Sequence, residues 1–204
     1  MTETPPPIRY VERAPTLGDG PVHLPDAIEG DAPLELDIGF GRGRSFLERA
    51  RQGATRVLGI EIKAKWATLV EARRARLGLA NGRAVWGDAR ELLARAEPDG
   101  CVTRAFVHFP DPWWKKRHGK RKVLSDSFLD TLTRLLRSGG ELYIQTDVDD
   151  RADDYERMLV AHPAFEPVGP TYRVDGNPYG ALSNREARAI EDGLPIYRLL
   201  ARRP

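Results

Sequence analysis

Asp37-Ile38-Gly39-Phe40-Gly41-Arg42-Gly43 sets three alternate glycines behind an acidic residue. Glycines let a backbone pass close to a ligand, and a helix starting directly afterwards offers free N–H groups. A dinucleotide loop, G-x-G-x-x-G, needs its third glycine three residues after the second. From Gly39 that slot holds Arg44 and from Gly41 it holds Phe46, so the loop is a poor pyrophosphate cradle, and Asp37 would repel one. A second chemical stretch is Phe109-Pro110-Asp111-Pro112-Trp113-Trp114-Lys115-Lys116-Arg117-His118-Gly119-Lys120-Arg121, followed by Lys122. Asp111 lies between two prolines, each holding φ at about −65°. Two indoles then precede a block of cations that contains four of the six lysines in the chain. Taken alone, such a block is either a solvated loop or a footprint for a polyanion.

These residues need elements to position them. Leu34–Ile38, Arg56–Ile62, Arg83–Trp86, Ala105–Phe109 and Glu141–Gln145 read as buried strands. Between them Arg44–Arg51, Ala64–Leu77, Arg90–Ala96 and Ser125–Leu136 read as helices. Spacing puts Trp66, Leu69, Val70 and Leu77 on one face of the second helix, and Ser125 or Asp126 is placed to cap the fourth, with Gly139-Gly140 beyond its end. A helix over Arg151–Ala161 and a strand near Pro195–Ala201 complete the pattern. Strand–helix alternation of this kind predicts an α/β fold: one doubly wound, mostly parallel sheet covered on both sides. Residues 1–33, with seven prolines and three glycines and no steady period, read as a loose, flexible N-terminal arm before a single domain over 34–204.

The G-x-G-x-G spacing after an acidic strand residue resembles the S-adenosylmethionine-binding loop of Rossmann-like methyltransferases. That cofactor bears a sulfonium and an ammonium rather than phosphates, so Asp37 is favourable beside it. Glu61, at the end of the second strand, is placed to take the two ribose hydroxyls. Asp88, in Trp86-Gly87-Asp88-Ala89, sits where an adenine amine would arrive, and it would serve equally as a helix cap.

With the proline-flanked stretch added, the chain from about Leu34 to its end resembles the bacterial tRNA (guanine-N7)-methyltransferase family. That family carries a P-D-P-W-x-K-x-R-H-x-K-R signature, and every fixed position is met here. Gly59-Ile60-Glu61, Gly87-Asp88-Ala89 and Gln145-Thr146-Asp147 fall in register with it. The resemblance implies a class I methyltransferase fold with a sheet of about seven strands, S-adenosyl-L-methionine as cofactor, and tRNA as partner. It further implies methyl transfer to N7 of guanine, giving 7-methylguanosine, at position 46 of the variable loop. Asp111 is then the catalytic residue, accepting hydrogen bonds from guanine N1–H and its amine and stabilising the cation that develops on the purine. Asp37, Gly39, Gly41, Gly43, Glu61 and Asp88 hold the cofactor, and Lys115 and Asp147 contact substrate. Lys116, Arg117, His118, Lys120, Arg121 and Lys122 grip the tRNA backbone, and Trp113 or Trp114 stacks on the base.

Family members also carry a short T-x-x-E motif near the C-terminus. Here it reads Ser183-Asn184-Arg185-Glu186, with serine for threonine, and the same four residues spell a helix capping box. Both roles can coexist. The glycine- and proline-containing segment Val174–Leu182 reads as a mobile piece that closes over the site.

Composition bounds the rest. The chain has 204 residues, 41% of them hydrophobic, which is enough for a core and excludes collagen-like or disordered classes. Thirty-two basic against thirty acidic residues leaves a net charge of +2, so partners are legible only in how charge is distributed. Cys101 is alone, which forbids an internal disulfide, and His23, His108 and His162 have no ligand-like spacing, so no metal is inferred. MTETPPPIRY has no basic start or apolar centre, and no apolar run is long enough for a span, so a cytoplasmic monomer or homodimer with no membrane contact is expected. Three other readings remain open from sequence. They are an amino-methyltransferase on adenine or cytosine, which would carry D-P-P-Y or N-P-P-Y where Pro112-Trp113 stands; an RNA-binding module with a vacant cofactor fold; and an oxidoreductase.

Overall fold

The computed structural model describes residues 9–110 and 123–204. In chain order these form α1 (Tyr10–Arg13), β1 (Val22–His23), a 3-10 turn (Leu24–Ala27), β2 (Leu34–Ile38), α2 (Arg44–Gln52), β3 (Arg56–Glu61), α3 (Ala64–Arg76) and β4 (Gly82–Trp86). There follow α4 (Ala89–Ala94), β5 (Ala96–Glu97), β6 (Val102–His108), α5 (Asp126–Leu135), β7 (Leu136–Thr146), α6 (Asp149–Ala161), β8 (Glu166–Pro167), α7 (Asn184–Glu191) and β9 (Tyr197–Arg202). The main sheet has seven strands in the order β4-β3-β2-β6-β7-β9-β8. β4, β3, β2, β6 and β7 run parallel, while β9 pairs antiparallel with β7 and with β8. From β2 the chain builds outward in one direction to β4, then returns to lay β6 on the other side of β2. That reversal opens a crevice at the carboxyl ends of β2 and β6, where ligands of open α/β sheets bind.

Every residue of β2 and β3 is buried, as a parallel strand covered on both sides requires. The two faces differ in chemistry. Leu34, Leu36, Ile38, Ala105, Val107, Leu142, Ile144, Leu199 and Ala201 point to one side and pack with Leu92, Leu93, Phe128, Leu132 and Leu159 from α4, α5 and α6. The alternate positions carry Glu35, Asp37, Arg104, Phe106, His108, Glu141, Tyr143 and Gln145, so the second face is polar where α2 and the segment before α7 cover it. Ser125 caps α5, its hydroxyl accepting from the Phe128 N–H at 3.3 Å, a contact worth about 1 kcal/mol.

Three expectations are revised. Before Leu34 the chain is packed on the domain: Trp86 N–H donates to Pro15 O at 2.7 Å, and Leu17 lies against the main core. Val22 and His23 pair with Ala96 and Glu97, and Val22, Leu24, Ala27 and Ile28 belong to that core. Short apolar residues among prolines carry no period, so their burial is invisible until α4 and β5 give them a partner. In α3 the buried side is Ala64, Ala67 and Val70, while Leu69 and Leu77 are 42% and 43% exposed. Close approach sets that choice, since a Cβ on Gly43 would lie 2.6 Å from Val70 Cγ1. Larger side chains therefore turn outward. β7 begins at Leu136, directly at the end of α5, and absorbs Gly139 and Gly140 rather than following them.

Candidate active site

The glycine loop leaves β2 with φ of +74° at Gly39, +56° at Gly41 and +74° at Gly43, a region closed to most side chains. Its shape is held by Gly39 N–H donating to Ile60 O at 2.8 Å and Gly43 N–H to Phe40 O at 2.9 Å. Gly59 opposite has no room for a Cβ, which would meet the Phe40 ring at 2.6 Å and that of Phe46 at 2.9 Å. Phe40 can thus lie flat on β3 and carry the loop over the strand ends.

Asp37 sits beneath this loop with 1% exposure. Its Oδ2 accepts from Ser45 Oγ at 2.7 Å, and its Oδ1 is buried with no hydrogen-bond partner. Burial pushes this carboxyl up from its ordinary value, opposed by the nearby His108 ring and the Ser45 hydroxyl. A buried acceptor without a donor is costly, about 1–3 kcal/mol, and a bound group carrying hydrogens or positive charge would relieve that cost.

Glu61 ends β3 with both oxygens engaged once. Oε2 accepts from Gly41 N–H at 2.8 Å and Oε1 from Lys63 N–H at 2.9 Å. Each keeps a second lone pair, so the carboxylate is aimed and still able to take a pair of hydroxyls. Beside it Ile62 is 61% exposed, and the Trp86 indole donates to Ile62 O at 3.0 Å. These apolar surfaces suit the flat face of a purine; a lone isoleucine after an acid gave no such signal in sequence. Asp88 differs. It caps α4 by accepting the Arg90 N–H at 2.9 Å and also pairs with the Arg90 guanidinium, which lowers its pKa. The role this side chain fills in the fold is that of the α4 cap.

At the end of β6, Phe109 adopts φ +47°, an uncommon conformation for an aromatic residue, while its N–H donates to Gln145 O at 2.8 Å. The turn into Pro110 is therefore pinned to β7. Asp111, Trp113, Trp114, Lys115, Lys116, Arg117, His118, Lys120, Arg121 and Lys122 lie outside the described residues.

The C-terminal segment meets the loop from the other side. Asn184 Oδ1 accepts the Arg44 N–H at 3.2 Å, so it caps α2, whose own N-cap is the bare Gly43. Glu48 Oε2 accepts Leu182 N–H at 3.0 Å, and Arg49 and Gln52 both donate to Tyr179 O at 3.3 Å. Arg185 forms an ion pair with Asp147 at the end of β7, Nε to Oδ2 being 2.9 Å. The capping box forms by half: Ser183 Oγ accepts from Glu186 N–H at 3.1 Å, but the Glu186 carboxylate turns inward. At 0% exposure it takes Arg198 at 3.1–3.2 Å on one oxygen and Asn177 at 3.0 Å on the other.

The segment read as mobile, 174–182, is thus fastened. Tyr179 wedges edge-on against Phe106 and Tyr143, with ring centroids 5.0 and 5.2 Å away, and its hydroxyl donates to Glu141 at 3.1 Å. Arg49 and Arg104 lie over its ring and share the buried Glu35. His108, given no role by its spacing, belongs to this polar layer: Nδ1 is 2.6 Å from Gln145 Oε1, and its ring stacks on Phe106. Gln145 in turn donates to Tyr143 at 3.0 Å.

Asp37, the three glycines, Glu61, Asp88, Asp147 and the start of α7 therefore gather at one edge of the sheet. Strand order, loop and acidic strand ends together define a Rossmann-like S-adenosylmethionine-dependent methyltransferase. Solved structures agree in fold: the 16S rRNA methyltransferase KamB superposes with a TM-score of 0.58 over 88% of this chain and 90% of that one, at 17% identity. The aminoglycoside resistance methyltransferase NpmB1 gives 0.56 over 89% and 92%, at 22% identity.

The family described as "Putative methyltransferase" matches residues 31–199. A tRNA (guanine-N(7)-)-methyltransferase of Synechococcus sp. is 37% identical over 169 residues, 81% of this chain and 70% of its own length. That of Nitrosococcus oceani is 35% identical over 188 residues, 92% and 78% of the two chains. The chain belongs to the tRNA (guanine-N(7)-)-methyltransferase family. Among the described residues no helix is long and apolar enough to cross a membrane, and no group of three metal-binding side chains forms.

Proposed function

We propose that the protein methylates N7 of guanine in tRNA from S-adenosyl-L-methionine, at the guanosine of position 46 in the variable loop, acting where tRNA is found, in the cytoplasm. The observation that carries the reading is Asp37 Oδ1, a buried acceptor with no donor beneath a glycine loop that makes a poor pyrophosphate cradle. S-adenosyl-L-methionine supplies an electrophilic methyl group on a positively charged sulfur, together with an ammonium. The residues present fit it: Asp37 offers a fixed carboxyl oxygen with no partner, Glu61 two aimed acceptors, and Ile62 with Trp86 an apolar wall.

Guanine N7 carries a lone pair and no proton, so methylation there asks the protein for no general base. What it needs is a guanine held in place and a negative charge near the purine that becomes cationic, which are proximity and electrostatic effects. Asp111 fills that role by its place three residues after the end of β6, accepting N1–H and the amine. Asp147 and Arg185 sit at the neighbouring strand end, where a second set of contacts to the nucleotide is available once their mutual pair opens. Lys115 and the cations from Lys116 to Lys122 serve the phosphates.

The test is incubation with unmodified tRNA and labelled donor, followed by nucleoside analysis. Label in 7-methylguanosine, lost when guanosine 46 is replaced by adenosine, supports the proposal. Label in a methylated adenosine or cytidine, or no transfer to any tRNA, refutes it.

A further inference from the structure

Charge is shared unevenly between two helices. α6 holds five acids against two arginines, whereas α3 holds four cations against Glu71 alone. Glu71 is consumed internally, taking Arg74 and the Ala84 N–H. Thirteen other arginines of the described residues, including Arg44, Arg49, Arg104 and Arg173, pair with carboxylates. Ten described arginines form no such pair, Arg73 and Arg76 among them, and neither Lys63 nor Lys65 forms one; these four are exposed, with no described carboxylate within ion-pair distance. Lys65, Arg73 and Arg76 stand at helical spacings of eight and three, so they share one outward face with Leu69, extending on the order of 16 Å along the axis. At the near end of that face, Arg42 of the glycine loop and Lys65 both lie over the Trp66 ring, at 5.5 and 5.3 Å from its centroid. Lys63 there is tied by its N–H to Glu61, so the row of cations starts at the mouth of the site.

A row of unpaired cations along one helix face, beginning at the mouth of the site, makes a local positive field that attracts a polyanion. We propose that the outward face of α3, with Lys65, Arg73 and Arg76 as its row and Arg42 and Trp66 at its head, is a tRNA-docking surface that contacts backbone phosphates. It is built from residues other than the cations at 115–122 in the sequence and rests on the reading of tRNA as substrate. Phosphate contacts carry no sequence information and fix register, so this surface would orient the tRNA body while the base is presented to the site.

The experiment measures binding of an unmodified tRNA transcript by fluorescence anisotropy as salt rises from about 50 to 200 mM, for the intact chain and for a Lys65→Ala, Arg73→Ala, Arg76→Ala triple variant. Each lost phosphate contact removes about 0.7–0.9 from the slope of log K against log salt, so the triple variant is expected to flatten it by about 2–3. Binding at the lowest salt should weaken by tenfold or more. Affinity for S-adenosylhomocysteine should stay within about twofold, which shows the fold and cofactor site intact. Arg137→Ala, an exposed unpaired cation at the start of β7, is the control and should leave the slope unchanged. A slope in the triple variant equal to that of the intact chain, or an equal loss per charge in Arg137→Ala, overturns the surface. If the intact chain methylates tRNA and the triple variant keeps its slope, the surface alone fails. If no tRNA binds the intact chain, the functional reading fails first.

Discussion

Asp37→Asn separates stability from function at one atom. In the folded protein Asp37 Oδ1 has lost water and gained no donor, while burial raises the carboxyl's pKa. The sign follows from that direction. Below the ordinary value of 3.8 both folded and unfolded chains hold the proton, and the site carries no ionisation penalty. As pH rises above it the unfolded chain releases its proton first, so stability falls until pH passes the raised folded value, and then stays level. Asparagine keeps an oxygen for the Ser45 hydroxyl and puts an amide NH2 where the unpartnered oxygen was. That exchanges the burial of a charge for that of a neutral polar group, which costs less. The variant should therefore be more stable than the parent at pH 7 by on the order of 1 kcal/mol, seen as a rise of about 2–4 °C in Tm. It should show no advantage below pH 3.8. The same change removes a charge-assisted contact worth about 1.5–3 kcal/mol, so S-adenosylhomocysteine should bind about 10- to 100-fold more weakly by calorimetry. A variant less stable than the parent at pH 7, or one that binds within twofold, would show that Asp37 is a structural residue.

Further outcomes follow from neighbouring residues. Glu186→Ala leaves Arg198, only 12% exposed, and Asn177 without their buried partner, and should cost about 3–5 kcal/mol in urea unfolding; a loss below 1 kcal/mol would contradict the inward bracket. Glu48→Ala deletes the acceptor for Leu182 N–H, so hydrogen exchange should quicken at that amide, and Glu48→Gln, which keeps an oxygen, should restore protection; equal exchange in both variants would count against a fastened segment. Asp111→Ala should abolish methyl transfer while leaving affinity for the cofactor largely intact, and near-normal turnover would remove its assigned role.

Much of this protein is written in its sequence, for local reasons. β2 is legible because Leu34, Leu36 and Ile38 alternate with Glu35 and Asp37 and then meet glycines, a strand and its stop within ten residues. Asp37, Gly39, Gly41, Gly43 and Glu61 fall at strand ends by spacing alone, and Ser183 reads as a cap from its own four residues. What spacing does not carry is the partner across the fold. Sequence offers Ser183–Glu186 as one motif. Only the tertiary structure turns Asn184 onto the Arg44 N–H, Arg185 onto Asp147 and Glu186 down to Arg198, because each partner lies on a different element. The face of α3 is decided in the same way, by how near Val70 comes to Gly43 rather than by where its largest side chains fall. Periodicity records which residues can be buried together; which of them are depends on the surface that arrives opposite, and that surface comes from more than a hundred residues away in some cases and from the next loop in others.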